Sequence, residues 1–289
     1  MKITIDSDSG FCFGVEKAIE IAEQRLKDSG KLYSLGQIVH NEEEINRLEQ
    51  KGMVTIGHDK LPDAKDAAIL LRAHGEPPET YRIAKEKNLK IIDATCPIVV
   101  KLQKRVKKAY EEMNRIGGQV AVFGKKEHPE AIGLTGQTDN TAIIIESPDE
   151  ADMIDVSRPL RLFAQTTKNK YEYEKLVGIL KKKYDERGRS QDFIHYNTVC
   201  KLVSGRGDHL KDFSRENDVV IFISGKHSSN GKYLYNICKA SNQKSYHISS
   251  PAELEKSWFE NAETVGISGA TSTPKWLMEE VADKIRRIL

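Results

Sequence analysis

The sequence predicts an α/β protein of three pseudo-equivalent lobes, each a small, mostly parallel sheet with flanking helices. Two observations predict it. Short β-rich runs alternate with longer helical patterns almost throughout the 289 residues, an arrangement that buries parallel strands beneath helices. Three cysteines, Cys12, Cys96 and Cys200, each follow a strand-like run and precede a helix-like one, 84 and 104 residues apart. One thiolate from each lobe would then meet the others at a single metal centre. Three protein thiolates on a four-iron cluster leave one iron open for chemistry.

The elements follow in chain order. Strand-like sequence begins at Lys2. After Cys12, Val15, Ala18, Ile19, Ala22 and Leu26 recur at helical spacing, and Gly30 supplies a stop. Asn41 with Glu44, and later Ser147 with Pro148 and Glu150, read as helix starts with capping boxes. After Cys96, Leu102, Val106, Ala109 and Met113 repeat the helical pattern until Gly117 and Gly118. Continuous apolar strands are expected at 67–71, 119–123, 142–145, 219–223 and 264–267. Lobe boundaries fall at 1–96, 97–195 (with Cys96 at its start) and 196–289.

A repeat of polar loops accompanies the cysteines. His40, His128 and Ser228 stand 28, 32 and 28 residues after Cys12, Cys96 and Cys200, and His74, Thr166 and Ser272 follow in turn. Each sits near the end of a strand-like run, where α/β sheets bind ligands. The lobes share order and spacing more than residue identity.

Each of these residues has a plain structural use as well. Cysteine is a common core residue, and Cys238, on an apolar face with Leu234 and Ile237, reads as core. Placement in a loop once per lobe separates the other three from it. No C-x-x-C pair occurs, so the usual zinc and ferredoxin spacings are absent. His40, His74 and His128 could donate to phosphate oxygens or ligate a metal, and Gly75 would allow a ligand close to the backbone. Glu130 is a first-turn helix acid on the plain reading. In a cavity beside a metal it becomes the best proton donor in the chain, its pKa raised by desolvation. Thr166 and Thr167 would extend that relay or cap the next helix. Ser228, Ser229 and Asn230, and Ser272 before Pro274, offer hydroxyl, amide and backbone donors for a phosphate or diphosphate, or simply cap helices. Walker and dinucleotide glycine patterns are absent. Lys101, Lys104, Arg105, Lys107 and Lys108, and a second cluster at 181–183, read as solvated faces or as docking points for an acidic electron carrier.

Bulk composition restricts the class. Hydrophobic residues at 38% and charged residues at 30% describe an ordinary globular chain. A net charge of +2 gives no general pull toward nucleic acid. No apolar run reaches the ~18 residues a membrane helix needs. A strand starting at Lys2 leaves no room for a leader, so the cytoplasm is the expected compartment and reduced cysteines the expected state.

Eight motifs in this order resemble one family over the whole chain, 4-hydroxy-3-methylbut-2-enyl diphosphate reductase, an iron–sulfur enzyme of the non-mevalonate isoprenoid pathway. They are G-F-C-F-G-V at 10–15, V-H-N at 39–41, A-H-G at 73–75, D-A-T-C-P at 93–97, H-P-E at 128–130, Q-T-T at 165–167, S-S-N at 228–230 and S-T-P at 272–274. The resemblance implies a trefoil around a central [4Fe-4S] cluster, also isolated as [3Fe-4S], on Cys12, Cys96 and Cys200. It implies a diphosphate pocket from His40, His74, His128, Thr166, Thr167, Ser228, Ser229, Asn230 and Ser272. It implies proton delivery by Glu130 with Thr166 and His128. The reaction would remove an allylic hydroxyl with two electrons and two protons, giving isopentenyl and dimethylallyl diphosphate. Expected partners are the allylic diphosphate and an electron donor such as flavodoxin or ferredoxin; nucleic acid and membrane are not expected. The chain departs from the family after Cys200, where 201–206 read K-L-V-S-G-R instead of an aromatic-Ala-Thr run and an Arg-Gln pair. Two other classes stay open at this point: a non-catalytic iron–sulfur sensor or binding protein, and a thiol-dependent non-redox enzyme acting on a phosphorylated substrate.

Overall fold

A computed structural model describes every residue except His227, and at Ser229 it describes the backbone alone. The chain divides into two compact units, Met1–Ile56 with Gly205–Leu289, and Gly57–Ser204. In order, the first stretch carries β1 (Lys2–Ile5), α1 (Phe13–Ser29), β2 (Leu32–Leu35), α2 (Glu42–Gln50) and β3 (Met53–Ile56). The second unit carries β4 (Ala68–Leu71), α3 (Pro78–Glu86), β5 (Ile91–Asp93), α4 (Pro97–Arg115), β6 (Gln119–Phe123), α5 (Pro129–Thr135), β7 (Ile143–Ile145), β8 (Leu160–Ala164), α6 (Lys170–Asp185), β9 (Phe193–His195) and α7 (Lys201–Ser204). The chain then returns to the first unit with α8 (Arg206–Arg215), β10 (Val219–Ile223), α9 (Ser229–Ser241), β11 (Ser245–Ile248), β12 (Thr264–Gly269) and α10 (Lys275–Ile288).

The strands make three small parallel sheets flanked by helices, the expected α/β class. In the first unit the order is β1-β12-β10-β11, and β2 pairs β3. In the second unit the order is β7-β6-β8-β9, and β4 pairs β5. Every pairing within either unit is parallel. A parallel strand is covered on both faces, and the side chains divide by the period of two. On β6, Ala121 and Phe123 join the α6 side with Tyr173, Leu176 and Leu180, while Val120 and Val122 join the α4 side with Leu102, Val106 and Met113. On β10, Val219, Ile221 and Ile223 face α10, and Val220 and Phe222 face α8 and α9. All five β10 side chains are fully buried, so truncating any one to alanine would cost about 2–5 kcal/mol.

The caps depart from expectation in detail. Asn41 caps α2, its Oδ1 accepting from the Glu44 N–H at 3.1 Å. The Glu44 carboxylate does not close the box. It is wholly buried and taken by Arg47 and, at 2.7 Å, by Trp276 Nε1. At Ser147 a short 3-10 helix forms, Pro148–Met153, and Ser147 does not cap it through its side chain. Glu150 accepts instead from the Glu146 N–H at 3.0 Å, one residue earlier than a capping box requires. Cys238 is the expected core thiol, fully buried beside Leu234, Phe213 and Phe222.

Candidate active site

The candidate residues all follow strands at their carboxyl ends. Cys12, Cys96 and Cys200 come after β1, β5 and β9, each an edge strand of its sheet or pair. Ser272, His74 and Thr166 come after β12, β4 and β8, the strands paired with those three. That pairing produces one anchor three times. The Cys12 N–H donates to the Thr271 carbonyl at 3.3 Å, the Cys96 N–H to Ala73 at 3.0 Å, and the Cys200 N–H to Thr166 at 2.8 Å. Each cysteine carbonyl then accepts the first bond of the next helix, from Glu16, Val100 and Ser204. Every cysteine is thus pinned beside the polar loop of the neighbouring strand.

The second unit holds Cys96, His74, His128, Glu130, Thr166, Thr167 and Cys200. Gly75 turns the chain after His74 with φ +75°. A Cβ there would sit 2.6 Å from Gln103 Nε2. His128 caps α5, its Nδ1 accepting from the Glu130 N–H at 3.1 Å, so a neutral ring carries its proton on Nε2. The His74 and His128 rings meet edge to face at 5.3 Å. Glu130, one residue into α5, is 1% exposed. Its Oε1 accepts from the Thr166 N–H and its Oε2 from the Thr166 hydroxyl, both at 2.7 Å. Burial pushes its pKa up to about 7, against the pull of the two Thr166 donors. Thr166 and Thr167 do not cap α6. Asn169 does, accepting from Tyr171 and Glu172. Thr167 accepts from Gln165 Nε2 at 2.9 Å.

The first unit holds Cys12, His40, Ser228, Asn230 and Ser272; the side chain of Ser229 lies outside the described residues. Ser228 caps α9, accepting from the Gly231 N–H at 3.0 Å, so its plain use is realised. Gly225 lets that loop reach His40: a Cβ would stand 2.4 Å from the His40 carbonyl oxygen. Asn230 Oδ1 accepts from the Thr271 hydroxyl at 3.1 Å, which ties the Ser228 loop to the Ser272 loop. Ser272 is 8% exposed and its hydroxyl has no partner among the described residues. A buried hydroxyl without a partner costs about 1–3 kcal/mol, a cost that an acceptor brought by a ligand would offset.

Two supports were not read from the sequence. Asn41 is buried with its amide nitrogen unpartnered, next to His40; the capping motif accounted only for its oxygen. The loop to Cys12 is braced by Asp6, which accepts from Ser268 at 2.7 Å and bonds His209 Nε2 at 2.8 Å, and by Arg206, which donates to the Gly10 carbonyl. Arg206 is the arginine of the departing segment after Cys200. These partners lie 196 to 262 residues apart and share no local pattern.

The donor set suits an iron–sulfur group. Cys12, Cys96 and Cys200 form no disulfide among the described residues and are partly exposed, whereas Cys238 is buried and its thiol pushed up to about 12. Thiolate sulfur is the soft ligand such clusters take. Cys12 and Cys96 also stand at the N-caps of long helices.

Known proteins resemble this chain in sequence and in fold. The family model described as LytB protein matches residues 3–286. A 4-hydroxy-3-methylbut-2-enyl diphosphate reductase of Bacteroides fragilis is 46% identical over 286 residues, covering 99% of this chain and 98% of its own. One of Porphyromonas gingivalis is 46% identical over 289 residues, covering 99% of each. Among solved structures, the E-1-hydroxy-2-methyl-but-2-enyl-4-diphosphate reductase from Plasmodium falciparum superposes with TM-score 0.84 at 26% identity, covering 98% of this chain and 87% of that one. The (E)-4-hydroxy-3-methyl-but-2-enyl diphosphate reductase described as the terminal enzyme of the non-mevalonate pathway superposes with TM-score 0.73 at 36% identity, covering 99% of each. With its fold, its thrice-repeated cysteine anchor and its full-length match all in accord, the chain belongs to the LytB protein family.

Proposed function

We propose that this chain is an oxidoreductase that removes the allylic hydroxyl of 4-hydroxy-3-methylbut-2-enyl diphosphate. Substrate, two electrons and two protons give water and isopentenyl or dimethylallyl diphosphate. The observation that carries the reading is Glu130, a buried carboxyl poised near neutrality and held by Thr166, whose own carbonyl anchors Cys200. The full-length relatives bearing this enzyme's name support it over a cluster-bearing sensor or a thiol hydrolase.

In this reading Cys12, Cys96 and Cys200 hold one [4Fe-4S] cluster, isolable as [3Fe-4S]. The cluster, when bound, supplies one-electron transfer and a Lewis-acidic iron. His40, His74, His128, Thr167, Ser228, Ser229, Asn230 and Ser272 bind the diphosphate, and anchoring that end orients the carbon skeleton. The unpartnered Ser272 hydroxyl gains an acceptor on binding. Protonated Glu130 delivers a proton to the departing hydroxyl through Thr166, and His128 holds the start of α5 so that Glu130 stays aimed. A thiolate-held cluster needs a reducing compartment, so the enzyme works in the cytoplasm beside a donor of the flavodoxin or ferredoxin class. Among the described residues no helix is long and apolar enough to cross a membrane.

The test is an anaerobic assay of cluster-loaded protein with reduced methyl viologen. Bleaching on addition of the substrate supports the proposal. Intact cluster absorption with no bleaching overturns it.

A further inference from the structure

The sequence carries two basic clusters, and the structure separates them. In the 181–183 cluster, Lys182 pairs with Glu186 and Lys183 with Asp152. Elsewhere in the same unit Arg82 pairs with Glu79 and Glu86, Lys170 with Glu174, and Arg189 with Asp192. The first three turns of α4 are different. Between Pro97 and Lys108 they carry Lys101, Lys104, Arg105, Lys107 and Lys108 and no acid. All five are exposed, and none forms a salt bridge among the described residues. The first acids, Glu111 and Glu112, come a turn later, and Glu112 is bound to Arg161.

Helical spacing puts Ile98, Lys101, Lys104, Arg105 and Lys108 on one face, opposite the buried Leu102, Val106, Ala109 and Met113. Ile98 is 41% exposed, an apolar side chain at the head of a cationic stripe. Arg105 lies over the Tyr196 ring at 4.7 Å, joining this helix to the segment that leads to Cys200. Unpaired cations in the first half of a helix oppose the helix dipole, so the stripe is not there for stability. Its first cation, Lys101, stands five residues after Cys96.

We infer that the outer face of α4, from Ile98 to Lys108, is the docking surface for an acidic one-electron carrier protein. The inference rests on the proposed reductase activity, which needs two electrons per turnover. Two reduced carriers each lose one electron; with two protons these expel the hydroxyl as water. A cationic stripe steers an acidic partner and speeds encounter, an effect that salt screens.

The test compares cluster-loaded wild type with K101E/K104E/K108E, using reduced methyl viologen or reduced ferredoxin as donor. Binding of oxidised ferredoxin is titrated separately, with no turnover required. The expected result is a KM for ferredoxin raised about tenfold or more, binding weakened alike, and viologen turnover unchanged. Wild-type turnover with ferredoxin should fall as salt rises, and K181E/K182E should behave as wild type. K101Q/K104Q/K108Q gives the same comparison should the reversal misfold. An unchanged ferredoxin KM and affinity would overturn the inference, as would equal loss with both donors. If wild type fails even with viologen, the reductase reading falls, and the ferredoxin titration still decides the surface.

Discussion

Thr166 holds Glu130 by both carboxyl oxygens, its N–H on Oε1 and its hydroxyl on Oε2, each at 2.7 Å. The same residue's carbonyl receives the Cys200 N–H at 2.8 Å. The buried carboxyl and the Cys200 backbone are therefore both tied to one residue. Burial raises the carboxyl's pKa more than the two donors lower it, and the balance lies at about 7.

Glu130→Gln should bind substrate with nearly unchanged KM and lose about 10²–10⁴ in kcat. In wild type kcat should fall as pH rises through about 7, because the proton is then absent. Viologen-coupled kcat against pH checks both; a Gln variant of near-normal rate would remove Glu130 from proton delivery.

The same group sets a stability trend. Its pKa is raised on folding from 4.5 to about 7, so folding favours the protonated form. Stability linked to it is fully present below pH 4.5 and is lost as pH rises through 7, by about 3 kcal/mol at the limit. Glu130→Gln should therefore melt above wild type at pH 8.5, with the gap closing toward pH 5. Thermal melts across that range read it directly.

Thr166→Val removes the hydroxyl and keeps the N–H. A donor that lowers the Glu130 pKa is gone, so the alkaline limb of kcat should move to higher pH while the rate drops. An unmoved limb would mean that Glu130 does not govern it.

Cys12→Ser, Cys96→Ser and Cys200→Ser should each lose cluster absorption. Cys238→Ala should keep it, at a stability cost of about 1 kcal/mol for the small cavity. In cluster-free protein, iodoacetamide should label three cysteines and spare Cys238, whose thiol is pushed up to about 12. Mass spectrometry counts the labels.

Gly225→Ala forces a methyl to within 2.4 Å of the His40 carbonyl, so backbone must yield. The expected outcome is a raised substrate KM with the cluster spectrum unchanged. Gly178→Ala on α6, which meets open space, should instead gain about 0.5–1 kcal/mol.

Long helices and fully apolar strands were legible because their patterns are local. Val219–Ile223 and the helix after Cys96 stand where periodicity puts them. The four-residue strands Leu32–Leu35, Met53–Ile56 and Ser245–Ile248 are too short to show a period and form because a neighbour pairs with them. The candidate residues were readable as types at strand ends. Their supports were not: Thr166 gripping Glu130, Asp6 meeting Ser268 and Asn230 meeting Thr271 join residues far apart in the chain. Glu44 shows the reverse error, a local motif overridden when tertiary partners claim its carboxylate.

β1 pairs with β12, and Asp6 and Ser268 bond across a separation of 262 residues. A ribosome releases β1 early and β12 late. The edge strand leading to Cys12 must wait for β12 while residues 57–204 emerge. The carbonyl that pins Cys12 belongs to Thr271, so the first cysteine takes its place only after nearly the whole chain is made. If the three thiols hold one cluster, as proposed, its loading is postponed until translation is almost over, and a product truncated before Thr271 should take up no cluster.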